Sequence, residues 1–429
     1  MKRTSMLSLV ALIAAGVTPA AAQVKIGGLV QVWYNQVLDS NLRTNSATLG
    51  TTAGNRSYYN LRSEFKENGF AIRRTELKFS GKIVDDVEYE VMIDPSINTS
   101  AGNPTILQDA VITYKSSFGL DFKVGQMKIF QTYEGLNSSS ELLLVERSQM
   151  GRTLGDVRNR GAAAILNFGD PKDFGGRFVL GAFNGSPLGV DKGNDNNAQK
   201  DFVARLDFTA AKDHKFGVYT LQGSTNSNDK TGAPLVATTF TNADPAKAPT
   251  AAQVLDNKDK TTNLGAYYIY QTADLHASVE YISGLLGRRF ATVANAAGAA
   301  GREHLDQKFQ GIVLTGAYTF GSHTLIGRYD VMNYNAGDQW YTVNNPYTTT
   351  AAGTSIIPAG TTGAVDYTPK YTELTLGYLY AFKPETLKAA NIKVNYISRS
   401  KNFLAPLAAA GQNGEQGGNN LVVAFQIAF

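Results

Sequence analysis

The side chains that could handle ions are concentrated in residues 129–160, IFQTYEGLNSSSELLLVERSQMGRTLGDVRNR, between two strand-like segments. Basic and acidic residues alternate in its second half, which contains Glu146, Arg147, Arg152, Asp156, Arg158 and Arg160. Guanidinium groups donate paired hydrogen bonds to phosphate and carboxylate oxygens, so these arginines could bind anions. A charged connection of this length is hard to place in an ordinary β-sandwich. Inside a wide barrel it would fold inward and narrow the opening.

The middle of this segment shows a signal for a helix. Ser138 and Glu141 have the spacing of a capping box, and the apolar run 142–145 follows directly. The sequence therefore predicts a helix that begins near Ser138 and continues through residues 142–145.

Metal-binding and catalytic groups are sparse. The histidines show no spacing typical of metal ligands and are His214, His276, His304 and His323. His276 and Ser278 share one face of a predicted strand, but no third group that would orient the histidine is recognisable. No glycine-rich loop resembles a phosphate cradle. We therefore predict no metal and no cofactor, and an enzyme is the least favoured class.

The first 22 residues have the pattern of a secretory signal peptide. Lys2 and Arg3 precede an apolar run, and Ala20–Ala22 offer a small-residue cleavage site before Gln23. The run is shorter than the roughly 20 residues of a spanning helix. Removal leaves 38 of the 40 basic residues against 36 acidic ones, so the net charge falls from +4 to +2. This balance gives no support to nucleic-acid binding, and the absence of cysteine excludes a disulfide-stapled domain.

The mature chain consists largely of segments with alternating apolar and polar residues. In residues 24–36, Ile26 and Val30 lie on one face while Lys25 and Gln31 lie on the other. Similar segments predict about sixteen strands, and an even number of strands is typical of bacterial outer-membrane barrels. They fall at 24–36, 70–83, 87–94, 106–115, 120–128, 160–168, 177–184, 201–210, 214–222, 262–272, 275–283, 309–320, 323–332, 371–382, 391–399 and 421–429.

The connections between these segments alternate strictly between short and long. Short ones lie at 85–86, 116–119, 169–176, 211–213, 273–274, 321–322 and 383–390, and every second connection is longer. Short turns at one end and long loops at the other are typical of an outer-membrane barrel. A sheet that spans lipid must close on itself, because lipid offers no hydrogen-bond partners. We therefore predict one all-β domain, residues 23–429, that forms a transmembrane antiparallel β-barrel.

The polar face of each strand would line the lumen. Its predicted basic residues are Arg74, Lys78, Lys82, Lys123, Arg205, Arg328, Lys393 and Arg399. Its predicted acidic residues are Glu76, Glu88, Glu90, Asp94, Asp109, Asp207, Glu280, Asp330 and Glu373. Selectivity depends on the local field rather than on the total charge. This nearly balanced wall is compatible with an anion path, a cation path, or a path divided into strips.

Three stretches and the last strand resemble the phosphate-selective porin O and P family. The stretches are GFAIRRTELKFSGKI at 69–83, QDAVITYKSSFGLDFKVGQMK at 108–128 and LNSSSELLLVERS at 136–148. The resemblance implies a trimeric sixteen-stranded barrel whose third long loop folds inward, with arginines, lysines and loop serines along an anion path. By position it implicates Arg73, Arg74, Asp109, Lys128, Ser138, Ser139 and Ser140.

Together these observations predict an outer-membrane porin with a constriction loop at about 129–159. It would pass small solutes by passive diffusion, with small inorganic or organic anions such as phosphate favoured. A non-selective or neutral-solute porin is the alternative, and a lipase-like barrel enzyme is less favoured. The expected partners are outer-membrane lipid and two further copies of the chain. The candidate pore residues are Arg73, Arg74, Lys78, Asp109, Lys123, Lys128, Ser138, Ser139, Ser140, Arg147 and Arg152.

Overall fold

A computed structural model describes most of the predicted strands and the segment that contains the charged loop. The described residues are 24–38, 68–96, 106–170, 172–185, 199–224, 240–241, 260–286, 290–291, 301–303, 307–334, 336, 370–400 and 418–429. The predicted signal peptide and His304 lie outside them. Within the described ranges, no helix is both long enough and apolar enough to cross a membrane.

Sixteen strands of the described part form one closed antiparallel barrel. Each barrel strand pairs with the next barrel strand along the chain, and the last one pairs with the first to close the ring. The strands are β1 (Lys25–Val37), β2 (Gly69–Val84), β3 (Val87–Ile93), β4 (Leu107–Tyr114), β5 (Leu120–Lys128), β6 (Arg158–Gly169), β7 (Gly175–Phe183), β8 (Asp201–Ala211), β9 (His214–Ser224), β11 (Lys260–Gln271), β12 (Leu275–Leu286), β15 (Gln307–Phe320), β16 (His323–Asn333), β17 (Lys370–Ala381), β18 (Ala390–Arg399) and β19 (Gly418–Ala428). The predicted barrel is confirmed.

A separate three-stranded sheet lies in two of the predicted long connections. It consists of β10 (Phe240–Thr241), β13 (Phe290–Ala291) and β14 (Gly301–Glu303), with β14 in the middle. The alternation of apolar and polar residues does not predict these short strands.

The side chains of the barrel strands alternate between an exposed and a buried face. In β8, Phe202 and Leu206 are exposed, whereas Val203 and Arg205 are almost completely buried. The exposed row is apolar in nearly every strand, which is the pattern of a barrel whose outer face meets hydrocarbon. The buried row is not uniformly polar, because it also contains residues such as Val179 and Ile269.

The last residue of the chain completes the seam of the barrel. Phe429 donates a backbone hydrogen bond to the Gly28 carbonyl at 3.1 Å and accepts one from the Gly28 amide at 2.8 Å. A side chain at Gly28 would collide with the Phe429 ring, since its Cβ would lie 2.4 Å from Cζ. The glycine therefore makes room for the terminal aromatic ring.

The helix predicted through residues 142–145 is wrong. Only short turns occur in this connection, namely α1 (Tyr133–Leu136), a 3₁₀ turn at Ser139–Glu141 and a π-helical turn at Gly151–Gly155. Leu142 has extended backbone angles of φ −64° and ψ 129°. The barrel wall satisfies the backbone instead, because Lys393 donates to the Leu142 carbonyl at 2.6 Å and Asn395 accepts from the Val145 amide at 2.7 Å.

We predict that a charge on the two faces of neighbouring strands will have different effects on stability. Leu180 is exposed on the outer face of β7, whereas Ile165 in β6 lines an internal cavity. Leu180→Arg should lower the free energy of unfolding in lipid vesicles by about 2–4 kcal/mol, because hydrocarbon cannot solvate the guanidinium. Denaturant titration followed by tryptophan fluorescence would measure this. An equal or larger loss for Ile165→Arg would contradict the assignment of the faces.

Candidate functional site

The connection between β5 and β6, residues 129–157, packs against the buried face of the barrel wall. Its apolar side chains enter four clusters with wall residues. Met150 and Leu154 pack in a cluster with Tyr219, Phe309 and Tyr371 from the wall. The other buried loop residues in such clusters are Leu144, Val145, Ile129, Phe130 and Val157. Burial of these side chains supplies the main driving force that holds the connection in place.

Two arginines on β2 hold the connection from one side. Arg73 donates to Glu146 at 2.5 Å and Arg74 donates to the same carboxylate at 3.0 Å. All three side chains are 5% exposed or less. Ionic hydrogen bonds of this kind are strong only because both partners are fixed and shielded from water.

A buried ionic network on β16, β17 and β18 holds the connection from the other side. Glu373 accepts hydrogen bonds from Arg152 at 3.3 Å, Arg328 at 2.8 Å and Arg399 at 3.1 Å. Arg328 also pairs with Glu134 at 3.0 Å. Burial lowers the pKa of Arg152, but Glu373 together with Tyr371, Glu146 and Asp330 outweighs this effect and raises the pKa above its ordinary value.

The connection also has an internal anchor. Arg147 donates to the Asn137 carbonyl at 2.6 Å, to the Glu134 carbonyl at 3.2 Å and to Asp156 at 3.0 Å. Its side chain is completely buried. Burial lowers the pKa of Arg147, and the carboxylate of Asp156 opposes that shift.

Two adjoining cavities remain open on the β2–β7 side of the barrel. Their volumes are about 440 and 770 Å³, and both are lined by Lys78, Glu90, Lys123 and Arg177. Together they are lined by eight basic side chains: Lys25, Lys78, Lys82, Lys115, Lys123, Lys128, Arg158 and Arg177. They are also lined by six acidic side chains: Glu76, Asp85, Glu88, Glu90, Asp109 and Asp121. We call this space the charged cavity.

Most charges in the charged cavity are paired with a neighbour. Lys78 lies 2.6 Å from Glu90, and Arg158 lies 3.0 Å from Asp109. The half-buried Lys123 differs, because its ammonium group has no hydrogen-bond or ion-pair partner among the described residues. An ammonium group without a partner on the wall remains available to a solute.

The structure separates the predicted pore residues into two groups. The charged cavity is lined by Lys78, Asp109, Lys123, Lys128, Ser138, Ser139 and Ser140. The remaining four do not line it and lie in the buried anchors described above: Arg73, Arg74, Arg147 and Arg152.

The sequence pattern did not identify Arg177 as a lining residue or Glu146 as an anchor. Arg177 occupies the same face of β7 as the buried Val179, so the alternation of that strand contained the signal. Nothing in the sequence pairs Glu146 with β2, because the two are more than 70 residues apart.

A smaller cavity of about 180 Å³ lies on the other side of the connection and includes His276 and Ser278. The His276 Nε2 and Ser278 Oγ atoms are 3.2 Å apart. No carboxylate among the described residues is hydrogen-bonded to His276, so the orienting member of a catalytic triad is missing there. The described residues also contain no cluster of potential metal ligands.

A closed antiparallel barrel with an apolar outer face and an internal charged cavity is the architecture of a membrane channel of the porin class. The chain belongs to the phosphate-selective porin O and P family, which matches residues 52–339. It is therefore a porin of the bacterial outer membrane.

Solved outer-membrane proteins share this fold at low sequence identity. OmpT of Vibrio cholerae, in its trimer form and as a loop L8 deletion mutant, is 12% identical. Both structures superpose with a TM-score of 0.50 and cover 95% of this chain and 100% of their own. An anion-selective porin from Comamonas acidovorans is 11% identical, with a TM-score of 0.49 and the same coverage. No curated protein sequence matches the chain.

We predict that cysteine labelling will separate the cavity lining from the anchors, since the natural sequence contains no cysteine. Lys123→Cys and Ser138→Cys should react with a charged, water-soluble thiol reagent in the folded protein. Met150→Cys should stay protected until the protein is unfolded, because Met150 is 0% exposed. Mass spectrometry of the labelled protein measures this. Rapid labelling of Met150→Cys would contradict the packing of the connection.

Proposed function

We propose that this porin passes small inorganic or organic anions, such as phosphate, by passive diffusion through the charged cavity. The observation that carries the proposal is the unpartnered ammonium group of Lys123, placed where basic side chains outnumber acidic ones. The hydroxyl groups of Ser138, Ser139 and Ser140 line the same cavity and can donate hydrogen bonds to an anion. The cavity walls thus offer both a positive charge and hydrogen-bond donors that can replace the water molecules an anion loses on entry.

We further propose that residues 129–157 act as the constriction loop of the channel. Their contacts with β1, β2, β12 and β16–β19 support this, because the partners are on the buried face of the wall. The larger open space beside the loop is the charged cavity, whose two parts have volumes of about 440 and 770 Å³, against about 180 Å³ for the cavity that contains His276. The charges that a solute meets are then those of the charged cavity and not those of the whole lumen.

The local field decides between an anion path and a neutral path. Paired charges such as Lys78 and Glu90 largely cancel at the distance of a passing solute, whereas Lys123 forms no ion pair that would hold its ammonium group against the wall. The interaction energy between an ion and a unit charge a few ångströms away is about 1 kcal/mol in water. A non-selective or neutral-solute porin remains the second candidate, and a chloride current unaffected by phosphate would favour it.

We predict that Lys123→Gln will weaken the preference for anions. The ratio of chloride to potassium permeability should fall by roughly fivefold, which corresponds to about 1 kcal/mol. Reversal potentials of planar bilayers under a KCl gradient measure the ratio. The matched control is Lys215→Gln, an exposed lysine of β9 that does not line the charged cavity. A preference for potassium in the unchanged protein would overturn the anion proposal.

We infer that the chain is a channel without hydrolytic activity, although His276 and Ser278 are in contact. His276→Ala should leave the conductance of the channel unchanged. Purified protein in phospholipid vesicles should release no fatty acid, and release that disappears in His276→Ala would revive the lipase-like alternative.

We also propose that the channel assembles as a homotrimer in the outer membrane. The support is the family membership together with the trimer form of the similarly folded OmpT. Cross-linking in native detergent followed by mass determination tests this, and a species of one or two chains would oppose it.

A further inference from the structure

We propose that Arg73 and Arg74 are positioning residues that clamp Glu146 and thereby hold the constriction loop against the wall. They would act through the loop and not by contact with the passing anion. The inference rests on the proposed function insofar as residues 129–157 define the open path. It assigns these two arginines a different role from the one that the family resemblance implies.

An irregularity in β2 is what lets both arginines serve the clamp. Consecutive residues of a regular strand point to opposite faces, so one of the two would face lipid. In the pairing with β1, Arg74 is opposite Gln31, but Ile72 is opposite Val32, which leaves Arg73 as an extra residue. Such a β-bulge redirects a side chain. As a result Arg73 and Arg74 are both buried, while Ile72 stays exposed on the outer face.

The clamp consists of Arg73, Arg74 and Glu146, and each of these side chains is hydrogen-bonded within the protein. Arg73 uses Nε at 3.1 Å and Nη2 at 2.5 Å on one oxygen of Glu146, while Arg74 Nη2 reaches the other oxygen at 3.0 Å. Arg74 also donates to Gln31 at 2.7 Å. The guanidinium of Arg73 lies 5.3 Å from the centre of the Trp33 ring, which shares an apolar cluster with Val145 of the loop. These contacts use Nε and Nη2 of Arg73 and both Nη atoms of Arg74, which are donors that an anion would also need.

The charges of the clamp are balanced without a solute. Arg74 lies 3.7 Å from Glu76 as well as 3.0 Å from Glu146, so two arginines face two carboxylates. Neither arginine lines the charged cavity. An anion could reach them only by displacing Glu146, whose side chain is 1% exposed.

Glu146 is also held from a second direction. Its backbone carbonyl accepts a hydrogen bond from Arg328 of β16 at 2.8 Å. Strands β2 and β16 are separated in the ring by β1, β19, β18 and β17. One loop residue therefore joins two distant parts of the wall, and loss of its carboxylate should free the loop at its attachment to β2.

The decisive experiment compares the removal of each half of the clamp. Glu146→Gln and the double variant Arg73→Gln with Arg74→Gln should change single-channel currents in the same direction. Both should raise the unitary conductance by about twofold and increase current noise, because the freed loop narrows the path less. If the arginines bind the passing anion directly, the two variants should instead shift the ratio of chloride to potassium permeability in opposite directions. Glu146→Gln would then raise the anion preference, and the arginine variant would lower it, which would overturn the proposal.

Two further variants keep the test informative if the clamp variants insert poorly into the planar bilayer. Glu146→Asp retains the charge and should restore currents close to those of the unchanged protein. Glu141→Gln is the matched control, because it removes an exposed loop carboxylate that pairs with Lys388 at 3.1 Å. It should leave conductance and noise unchanged, and an effect equal to that of Glu146→Gln would also overturn the proposal.

A chemical rescue separates positioning from a general loss of stability. In Arg73→Cys combined with Glu146→Cys, a short bifunctional thiol reagent should reconnect loop and wall and return the conductance and noise to their original levels. Continued current noise in the cross-linked protein would contradict the proposed clamp. If the unchanged protein prefers cations, the anion proposal fails, but the comparison of noise and conductance still decides the role of the arginines.

Discussion

Backbone hydrogen bonding in a solvent without donors or acceptors is the constraint on which this molecule depends. Lipid cannot pair with a free strand edge, so the sheet has to close, and β1 must meet β19. The two backbone hydrogen bonds between Gly28 and Phe429 complete that seam at the end of the chain. Closure fixes which face of every strand meets hydrocarbon. The outer face must then be apolar, whereas the inner face is free to vary.

The inner face varies according to what covers it. Where residues 129–157 pack, the wall presents side chains such as Ile269, Tyr219 and Val179, which are almost completely buried. Where the loop leaves space, the wall presents Lys78, Lys123 and other charged groups. An apolar wall gains free energy when the loop covers it, and a charged wall keeps its hydration when it stays open. The shape of the open path therefore follows from the distribution of apolar residues on the inner face.

Burial also decides what an arginine does in this barrel. The guanidinium groups of Arg74 and Arg152 are enclosed with carboxylates and hold a loop to a wall, whereas Arg177 is 41% exposed in the charged cavity. A buried arginine whose partner is removed becomes an uncompensated charge, so the anchors are sensitive to the loss of either partner. An exposed arginine is screened and affects mainly the field that a solute meets. Residue type alone does not distinguish these two roles.

The alternation of apolar and polar residues in the sequence determined the sixteen barrel strands and the short turns, because the direction of a side chain in a strand depends only on its immediate neighbours. It also placed Lys78, Lys123 and Asp109 on the inner face. The tertiary structure alone decided which inner charges remain open to solute, because that depends on where a connection from β5 to β6 packs. It also turned the expected helix at 142–145 into an extended segment, since Lys393 and Asn395 satisfy its backbone from strand β18. Contacts between residues so far apart in the chain leave no local pattern in the sequence, and only the closed barrel brings them together.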